Sequence, residues 1–394
     1  MTESIASSLT TDKVRLEEKY WADEQKILKH LDSMNIKIFS AMWKLGPRNL
    51  LEISRQTGIP FTSVYHRIER LESKSTPLAY VVPKISRLGM MRVVVLVTAR
   101  LGCEDTVTQA LKLPNLWSAV NSCEGTFTHD SVHYVPVQYI SEFRTYLSKL
   151  AETGLIRRFK VLVTGDYIPN FPDFTYYSTT SHEWTFPWDQ WFKQITDMTP
   201  TTTDMNDPSS YEVVTDKKDI LIIKELEKDG RLSFSELAPV VGVSLHGVKY
   251  HFDKRLTPTG ILQHYQFNVV PFPKEVSAFH EIMLEFHSKL DLDKFASVIP
   301  RMFFIIGASK VLKRNAILIR TYILNSELAK LHAFFSQLAK AGMLQSYSAI
   351  RKDLKSRVVQ TVSYELFDDN KGWICDFEKT LRELDQLRSN CTIG

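Results

Sequence analysis

The sequence predicts an α+β fold, in which two winged helix-turn-helix domains alternate with two ferredoxin-like βαββαβ domains. Two observations carry this prediction. The chain has 394 residues, which is too long for one ordinary core, because domains usually span about 100–200 residues. Its second half also repeats the pattern of glycines and apolar residues of the first half. A repeat at a fixed spacing indicates that one structural unit occurs more than once.

The repeat has two spacings. Gly58 aligns with Gly242, and the same step along the chain aligns Gly46 with Gly230. Beyond the wing the step is longer, since Pro83 aligns with Pro271, and a four-residue insertion in the second half explains the change. The positions of the glycines and of the apolar residues match between the two halves throughout the repeat. The sequence therefore predicts a tandem duplication.

Each repeat opens with three short helices. In the first half, residues 36–42 and 51–56 have apolar faces and are followed by Gly46 and Gly58, where helix stops belong. The third helix buries residues that recur at i, i+4 and i+7, namely Val64, Ile68 and Leu71. Two helices joined by a short turn that contains glycine are typical of a helix-turn-helix. Residues 79–83 supply a wing strand.

A β-rich unit follows each set of helices. In the first half, strands and helices are predicted in the order 91–100, 104–112, 117–122, 126–135, 138–153 and 155–163. The second half has the same order at 278–286, 291–299, 302–306, 316–323, 326–341 and 344–351. This order, βαββαβ, is that of a ferredoxin-like domain.

These patterns divide the chain into seven segments: an N-terminal helix (1–31), winged helix-turn-helix 1 (32–83), ferredoxin-like domain 1 (84–170), an aromatic extension and polar linker (171–210), winged helix-turn-helix 2 (211–268), ferredoxin-like domain 2 (269–355) and a C-terminal extension (356–394). The aromatic extension is expected to pack its rings onto its own domain. The alternative is a ligand or partner surface, because aromatic side chains dominate such sites.

Charge and motifs exclude several classes of function. The net charge of +4 is mildly basic, so a nucleic-acid partner requires locally concentrated charge. The sequence contains no CxxC pair, P-loop, HExxH, GxSxG or GxGxxG motif. We therefore expect no metal, no cofactor and no enzymatic activity. The polar N-terminus and the short apolar runs predict a cytoplasmic protein without membrane contact.

One stretch of the second half resembles a known family. Ile220-Leu221, Asp229-Gly230-Arg231 and Glu236-Leu237-Ala238 are similar to the opening helix-turn-helix of the leucine-responsive/AsnC transcription regulators. Residues 32–68 are a weaker copy. The resemblance implies a ferredoxin-like effector domain, double-stranded DNA as the partner, and room for a small-molecule effector. The chain departs from the family because it has two units, and because Gly307 has no Asp nearby, which puts amino-acid binding in doubt.

In a winged helix-turn-helix, the third helix enters the major groove of DNA. Its exposed Ser, Thr, His, Arg and Lys side chains can bind base edges or phosphates. The predicted DNA-binding residues are Thr62, Ser63, His66, Arg67 and Arg70 in the first half, and Ser244, His246, Gly247, Lys249, Tyr250, His251 and Lys254 in the second. Because the two units share one chain, we expect an intramolecular pseudo-dimer, with further homo-oligomers left open.

Two other functions remain open. Siroheme decarboxylases have a similar architecture, and His280 and His287 are the candidate ligands on a strand. Seven residues apart, however, they point to opposite faces of that strand. The other alternative is a regulator that acts only through protein contacts, because winged domains also serve as interaction modules.

Overall fold

The computed structural model describes residues 30–72, 78–200 and 205–389. Most of the predicted N-terminal helix (1–31) and part of the polar linker fall outside these residues. None of the described helices is both long and apolar enough to cross a membrane.

The first three helices form as the sequence predicts. They are α1 (Ser33–Leu45), α2 (Leu50–Thr57) and α3 (Phe61–Leu71). Asp32 caps α1 by accepting a hydrogen bond from the Asn35 N–H, which satisfies an amide that has no partner inside the helix. Gly58 ends α2 with a φ of 69°, a conformation that costs little only for glycine. Apolar side chains on the inner faces form one buried cluster, including Ile38, Met42, Ile53, Val64, Ile68 and Leu71.

The first β-rich unit has the predicted order. After the wing strand β1 (Ala79–Val82) come β2 (Met90–Ala99), α4 (Glu104–Ala110), β3 (Leu116–Glu124), β4 (His129–Pro136), α5 (Ile140–Glu152) and β5 (Ile156–Thr164). The strands lie side by side in the order β3-β4-β2-β5. Val93, Val95 and Val97 pack under α4 and α5, whereas Val94 and Leu96 face the opposite side. This alternation is what a strand with a period of two residues produces.

A linking segment separates the two halves. It contains β6 (Ile168–Pro169), a small hairpin of β7 (Tyr177–Ser178) and β8 (Glu183–Trp184), and α6 (Trp188–Asp197). Its rings from Trp184 onward pack on the second half of the chain, where Trp184 stacks on Phe303 with ring centroids 4.3 Å apart. The expectation that this extension packs onto its own domain is therefore wrong. An aromatic run indicates burial, but it does not identify the covering surface.

The second half repeats the order of the first. Its winged domain comprises α7 (Lys217–Lys228), α8 (Phe234–Val241), α9 (Leu245–Tyr250) and β9 (His264–Phe267). Its β-rich unit comprises β10 (Ser277–Phe286), α10 (Lys289–Val298), β11 (Ile305–Val311), β12 (Ala316–Leu324), α11 (Leu328–Lys340) and β13 (Leu344–Val359). The strands lie in the order β11-β12-β10-β13, which corresponds to the order in the first half.

The C-terminal extension packs back on the first half. It forms β14 (Phe367–Asp368), β15 (Gly372–Trp373) and α12 (Phe377–Ser389). Phe377 contacts Phe143 of α5, and the indole of Trp373 donates a 2.6 Å hydrogen bond to the Leu88 carbonyl. Each half is thus covered by the extension that follows the other half.

The two sheets are joined at both edges. β13 pairs with β3, where Arg351 lies opposite Glu124 and Val359 opposite Ser118. β11 pairs with β5 through Val311 and Thr164. Strands β2–β5 and β10–β13 therefore form a closed ring, with the helices outside and an enclosed interior between the two sheets. Closure satisfies the backbone groups that an open sheet edge would leave unpaired.

The two winged domains also touch one another. Their wing strands β1 and β9 pair antiparallel, with Ala79 directly opposite Phe267. Arg48, in the turn after α1, places its guanidinium over the rings of Phe234 and Phe252 in the second half, at 4.6 and 4.7 Å. These contacts fix the two domains as one pair.

Candidate nucleic-acid interface

The predicted DNA-binding residues lie on the third helix of each winged domain, at its Ser244 cap, or in the π-helical segment His251–Leu256 that continues α9. Val64 and Ile68 in α3 and Val248 in α9 are buried, so the rest of each helix faces outward. The exposed members of the predicted set are Thr62, Ser63, His66, Arg70, Ser244, His246, Lys249, Tyr250 and Lys254. The half-buried members are Arg67, Gly247 and His251.

Arg67 is bound within its own domain. Its guanidinium donates hydrogen bonds to Asp32 at 2.7 Å and to Asn35 at 3.0 Å. Burial alone would raise the pKa of Asp32, but hydrogen bonds from Arg67 and the Asn35 N–H outweigh it and lower that pKa. Arg67 therefore joins α3 to the start of α1. Its contact with DNA stays a prediction.

His251 has the corresponding role in the second half. Its Nδ1 lies 2.7 Å from the carboxylate of Asp219, a residue that is fully buried at the start of α7. Arg255 also donates to Asp219, at 2.8 Å, and lies 3.1 Å from Asp216. His251 therefore joins the end of the third helix to α7, and its contact with DNA also stays a prediction. Asp216, Asp219 and His251 lie close enough to hold a cation, but Arg255 already neutralises both carboxylates, so we assign no metal there.

Two other predicted residues serve the helix itself. The Ser244 hydroxyl caps α9 by accepting a 3.1 Å hydrogen bond from the Gly247 N–H. That acceptor is already used, so Ser244 and Gly247 shape the beginning of the helix. Gly242, just before it, has a φ of 70°, as a tight turn between the two helices requires.

The prediction missed two exposed apolar residues. Phe61 begins α3 and Leu245 begins α9, and they are 45% and 46% exposed. They occupy corresponding positions, related by the same step that aligns Gly58 with Gly242. In this motif the N-terminal end of the third helix approaches the bases, and apolar side chains can contact the thymine methyl group. The signal was present in the sequence, because neither residue belongs to the buried i, i+4, i+7 series.

A second cluster of charged residues lies inside the ring of strands. The side chains of Arg92, Asp130, Glu281, Arg320 and Lys352 are all buried there. Lys352 Nζ lies 2.6 Å from Glu281 Oε2 and 3.1 Å from Asp130 Oδ2, and Arg320 Nε donates to Glu281 at 3.2 Å. Sequence reasoning missed this cluster, because its members lie far apart in the sequence on five strands from both halves.

The pKa values of the two carboxyl groups in this interior cluster are shifted in opposite directions. Burial would raise the pKa of Glu281, but Lys352, Arg320 and Arg92 outweigh burial and lower it to about 2. For Asp130 burial dominates over Lys352, and the pKa is raised. The guanidinium of Arg92 donates only to the hydroxyls of Thr164 and Ser309, both at 3.1 Å, and its Nε and Nη2 have no hydrogen-bond partner. The cluster therefore retains donor capacity for an anionic group.

Two solved structures are similar to this chain at low identity. The siroheme decarboxylase NirDL has 14% sequence identity and a TM-score of 0.49, over 91% of this chain and 99% of that chain. The transcriptional regulator NMB0573 from Neisseria meningitidis, solved with L-Met, has 21% identity and a TM-score of 0.29, over 38% of this chain and 95% of that chain. No curated protein matches the chain.

These findings correct one expectation from the sequence. We expected the chain not to be an enzyme, because it lacks the common catalytic motifs. The solved structure that aligns over 91% of the chain is an enzyme, so the absence of those motifs does not exclude catalysis on this architecture. The likeness assigns no activity to this chain.

The family comparison concerns the second winged domain. Residues 216–249 match the AsnC-type helix-turn-helix domain. They begin at the Asp216 cap of α7 and end within α9, so they contain the two helices and the turn that the motif requires. Residues 216–249 are an AsnC-type helix-turn-helix domain, set within a larger mixed α+β chain.

Proposed function

We propose that this protein is a sequence-specific DNA-binding transcription regulator. The observation that carries the proposal is the AsnC-type helix-turn-helix at 216–249, whose third helix exposes His246, Lys249 and Tyr250 on one face. Histidine and tyrosine can bond base edges, and lysine neutralises phosphate. Lys254, one turn further on and also exposed, would contact the backbone.

The first winged domain would read a second half-site. Thr62, Ser63, His66 and Arg70 are exposed on α3, and the two wings pair with each other. The ion pairs that tie α3 and α9 to their first helices occupy corresponding positions in the two halves. These correspondences support a tandem duplication, in which one chain acts as an intramolecular pseudo-dimer. The third helices of the two winged domains, here called the reading helices, would contact the bases. Because they differ in sequence, the preferred site would have two unlike half-sites.

Selection of binding sites from random duplex DNA tests this proposal. We expect an asymmetric consensus, bound by one chain, with the stoichiometry measured by light scattering of the complex. A palindromic consensus that requires two chains would contradict the pseudo-dimer. Recovery of no consensus, together with no salt-dependent DNA binding, would contradict DNA binding and favour a regulator that acts through protein contacts.

The interior charge cluster favours a second candidate function, which is chemistry on a carboxylated substrate. Buried groups with strongly shifted pKa values often mark functional sites. The unpartnered Nε and Nη2 of Arg92 would bind a substrate carboxylate. A siroheme titration tests this candidate by the absorbance of the tetrapyrrole, with Arg92→Gln as the variant. An unchanged spectrum with the wild-type protein would exclude the tetrapyrrole as substrate.

A further inference from the structure

The two halves can be compared residue by residue at the junction between winged domain and ring. The Asn170 N–H donates to the Ile306 carbonyl at 2.9 Å, and the Gln360 N–H donates to the Trp117 carbonyl at 2.8 Å. These equivalent bonds align the two chain segments that leave the ring. They place Phe171 in correspondence with Thr361, one residue further along each segment.

The same comparison applies to the first helix of each winged domain. α1 begins after the Asp32 cap and α7 after the Asp216 cap. Counting from these caps, Trp43 of the first half corresponds to Glu227 of the second. The junction in the first half therefore has two aromatic residues where the second half has a carboxylic acid and a hydroxyl.

Because of this difference, aromatic side chains fill the junction of the first half, whereas the junction of the second half contains a cavity. In the first half, Trp43 stacks on Phe171, with centroids 5.4 Å apart and planes 16° apart. In the second half, Glu227 and Thr361 line a cavity of about 190 Å³. Well-packed interiors contain few voids larger than a water molecule. A cavity at one of two equivalent junctions therefore points to a function at that junction.

The cavity has largely aromatic and aliphatic walls, and its polar lining residues are Glu227, Asn268, Arg357, Gln360 and Thr361. Glu227 Oε2 accepts a 2.6 Å hydrogen bond from the Val362 N–H, while its Oε1 is buried without a hydrogen-bond partner. Burial raises the pKa of Glu227 to about 8. Among the described residues, no cation forms an ion pair with this carboxyl group. The walls include Tyr80, Trp117, Tyr134, Val82, Pro83 and Val359.

We propose that this cavity binds a small primary amine, whose ammonium group donates a hydrogen bond to Glu227 Oε1 and whose apolar body lies against Trp117 and Tyr134. Oε1 is an acceptor without a donor, and a buried carboxylate is stabilised most by an opposite charge. Aromatic faces also attract an ammonium group. Arg357 also lines the cavity, and because its positive charge repels an ammonium group, the amine is expected at Glu227 and away from Arg357.

The position of the cavity gives the bound amine a regulatory effect. Its lining combines the first wing (Tyr80), the first helix of the second winged domain (Glu227), the first sheet (Trp117) and the strand that leaves the second sheet (Arg357). An amine held among these elements would fix the two winged domains relative to the ring. This regulatory step rests on the proposed DNA binding, whereas amine binding does not.

Titration calorimetry at pH 7 tests amine binding without DNA. The probes are isobutylamine, benzylamine and tyramine, with benzyl alcohol as the neutral match for benzylamine. We expect at least one amine to bind, and benzylamine to bind more tightly than benzyl alcohol if it is the one that fits. Because the pKa of the empty site is about 8, Glu227 is mostly protonated at pH 7. Binding should therefore release close to one proton, measured as different heats in phosphate and HEPES buffers, neither of which contains a primary amine.

Two variants of the full-length protein locate the site. Glu227→Gln keeps the shape of the side chain and should weaken amine binding at least tenfold. Glu225→Gln, on the same helix, makes the same change of charge in a residue paired with Lys228 outside the cavity, and should leave binding unchanged. Thr361→Phe restores the ring found in the first half and should abolish binding.

Three results would overturn the amine site: no binding of any of the three amines to the wild-type protein, equal binding by Glu227→Gln, or a neutral alcohol that binds as tightly as its amine. The regulatory step has its own measurement. A saturating amine should change the DNA affinity of the wild-type protein and leave that of Glu227→Gln unchanged. Equal effects on both would overturn the regulatory step alone.

Discussion

Arg67 donates a 2.7 Å hydrogen bond to Asp32, a residue that also caps the first helix. Asp219 accepts from both His251 and Arg255 in the second half, so a reading helix is again tied to the first helix of its domain. These pairs hold the angle between the helices that would enter DNA and those that carry the rest of the domain. They also explain why Arg67 and His251 are half-buried on helices that otherwise face outward.

The first prediction concerns this pair. Arg67→Ala should lower the free energy of unfolding by about 1 kcal/mol, because it removes a charged hydrogen bond that is only partly shielded from water. A double-mutant cycle with Asp32→Ala isolates the interaction. The folded-state pKa of Asp32 is lowered from 3.8, so the coupling should be constant from pH 7 to about pH 5. It should then disappear as the pH falls through the lowered pKa. Urea unfolding at several pH values measures this, and a coupling that grows in acid would contradict it.

The second prediction concerns Lys249, which is exposed on the third helix of the second winged domain. Lys249→Ala should weaken DNA binding, and should flatten the plot of log affinity against log salt by about one unit, since one phosphate contact is lost. Lys149→Ala is the matched control, because Lys149 lies in α5 and pairs with Glu152. Fluorescence anisotropy over a range of salt concentrations gives both slopes. Equal slopes for the two variants would remove Lys249 from the interface.

The third prediction concerns the turns before the reading helices. Gly58 and Gly242 have φ values of 69° and 70°, and an added Cβ would meet no atom within 4 Å at either position. Alanine there should cost about 1 kcal/mol through backbone strain alone. Asparagine tolerates this conformation better and should cost less. Thermal unfolding of the Ala and Asn variants compares the two, and equal melting temperatures would argue against strain.

The fourth prediction concerns the ring interior. Lys352→Met should destabilise the protein by about 3–5 kcal/mol, because it leaves Asp130 and Glu281 buried without their shared cation. Lys355→Met, at an exposed position of the same strand, is the control. Chemical unfolding of both variants measures the difference. A loss much smaller than this range would mean that water or a rearranged Arg92 replaces the lysine.

The pH dependence of that interior follows from Glu281. Its pKa is lowered from 4.5 to about 2 in the folded protein, so its stabilising contribution is complete above pH 4.5 and is lost as the pH falls toward 2. The wild-type protein should therefore lose stability over this range. Glu281→Gln should show a shallower loss, and an equally steep loss would assign the acid sensitivity to other carboxyl groups.

The sequence predicted the order of elements because that order depends on local signals. Gly58 and Gly242 mark turns, and the spacing of Val64 and Ile68 marks a buried helix face. It could not predict which strands meet across the two halves, because β13 and β3 pair through residues that lie in opposite halves of the chain. The ion pair of Arg67 with Asp32 was missed for the same reason. An exposed helix position is indistinguishable in sequence from one whose partner lies on another helix.

The closed ring has a consequence for the newly made chain. While the second half is still being synthesised, β3 and β5 of the first half present open edges, because their partners in β13 and β11 do not yet exist. Open edges recruit strands from other molecules. An unfinished chain would therefore pair with a second unfinished chain, whereas a complete chain supplies the missing strands itself at high effective concentration. Joining the two halves in one chain thus prevents newly synthesised chains from pairing with one another.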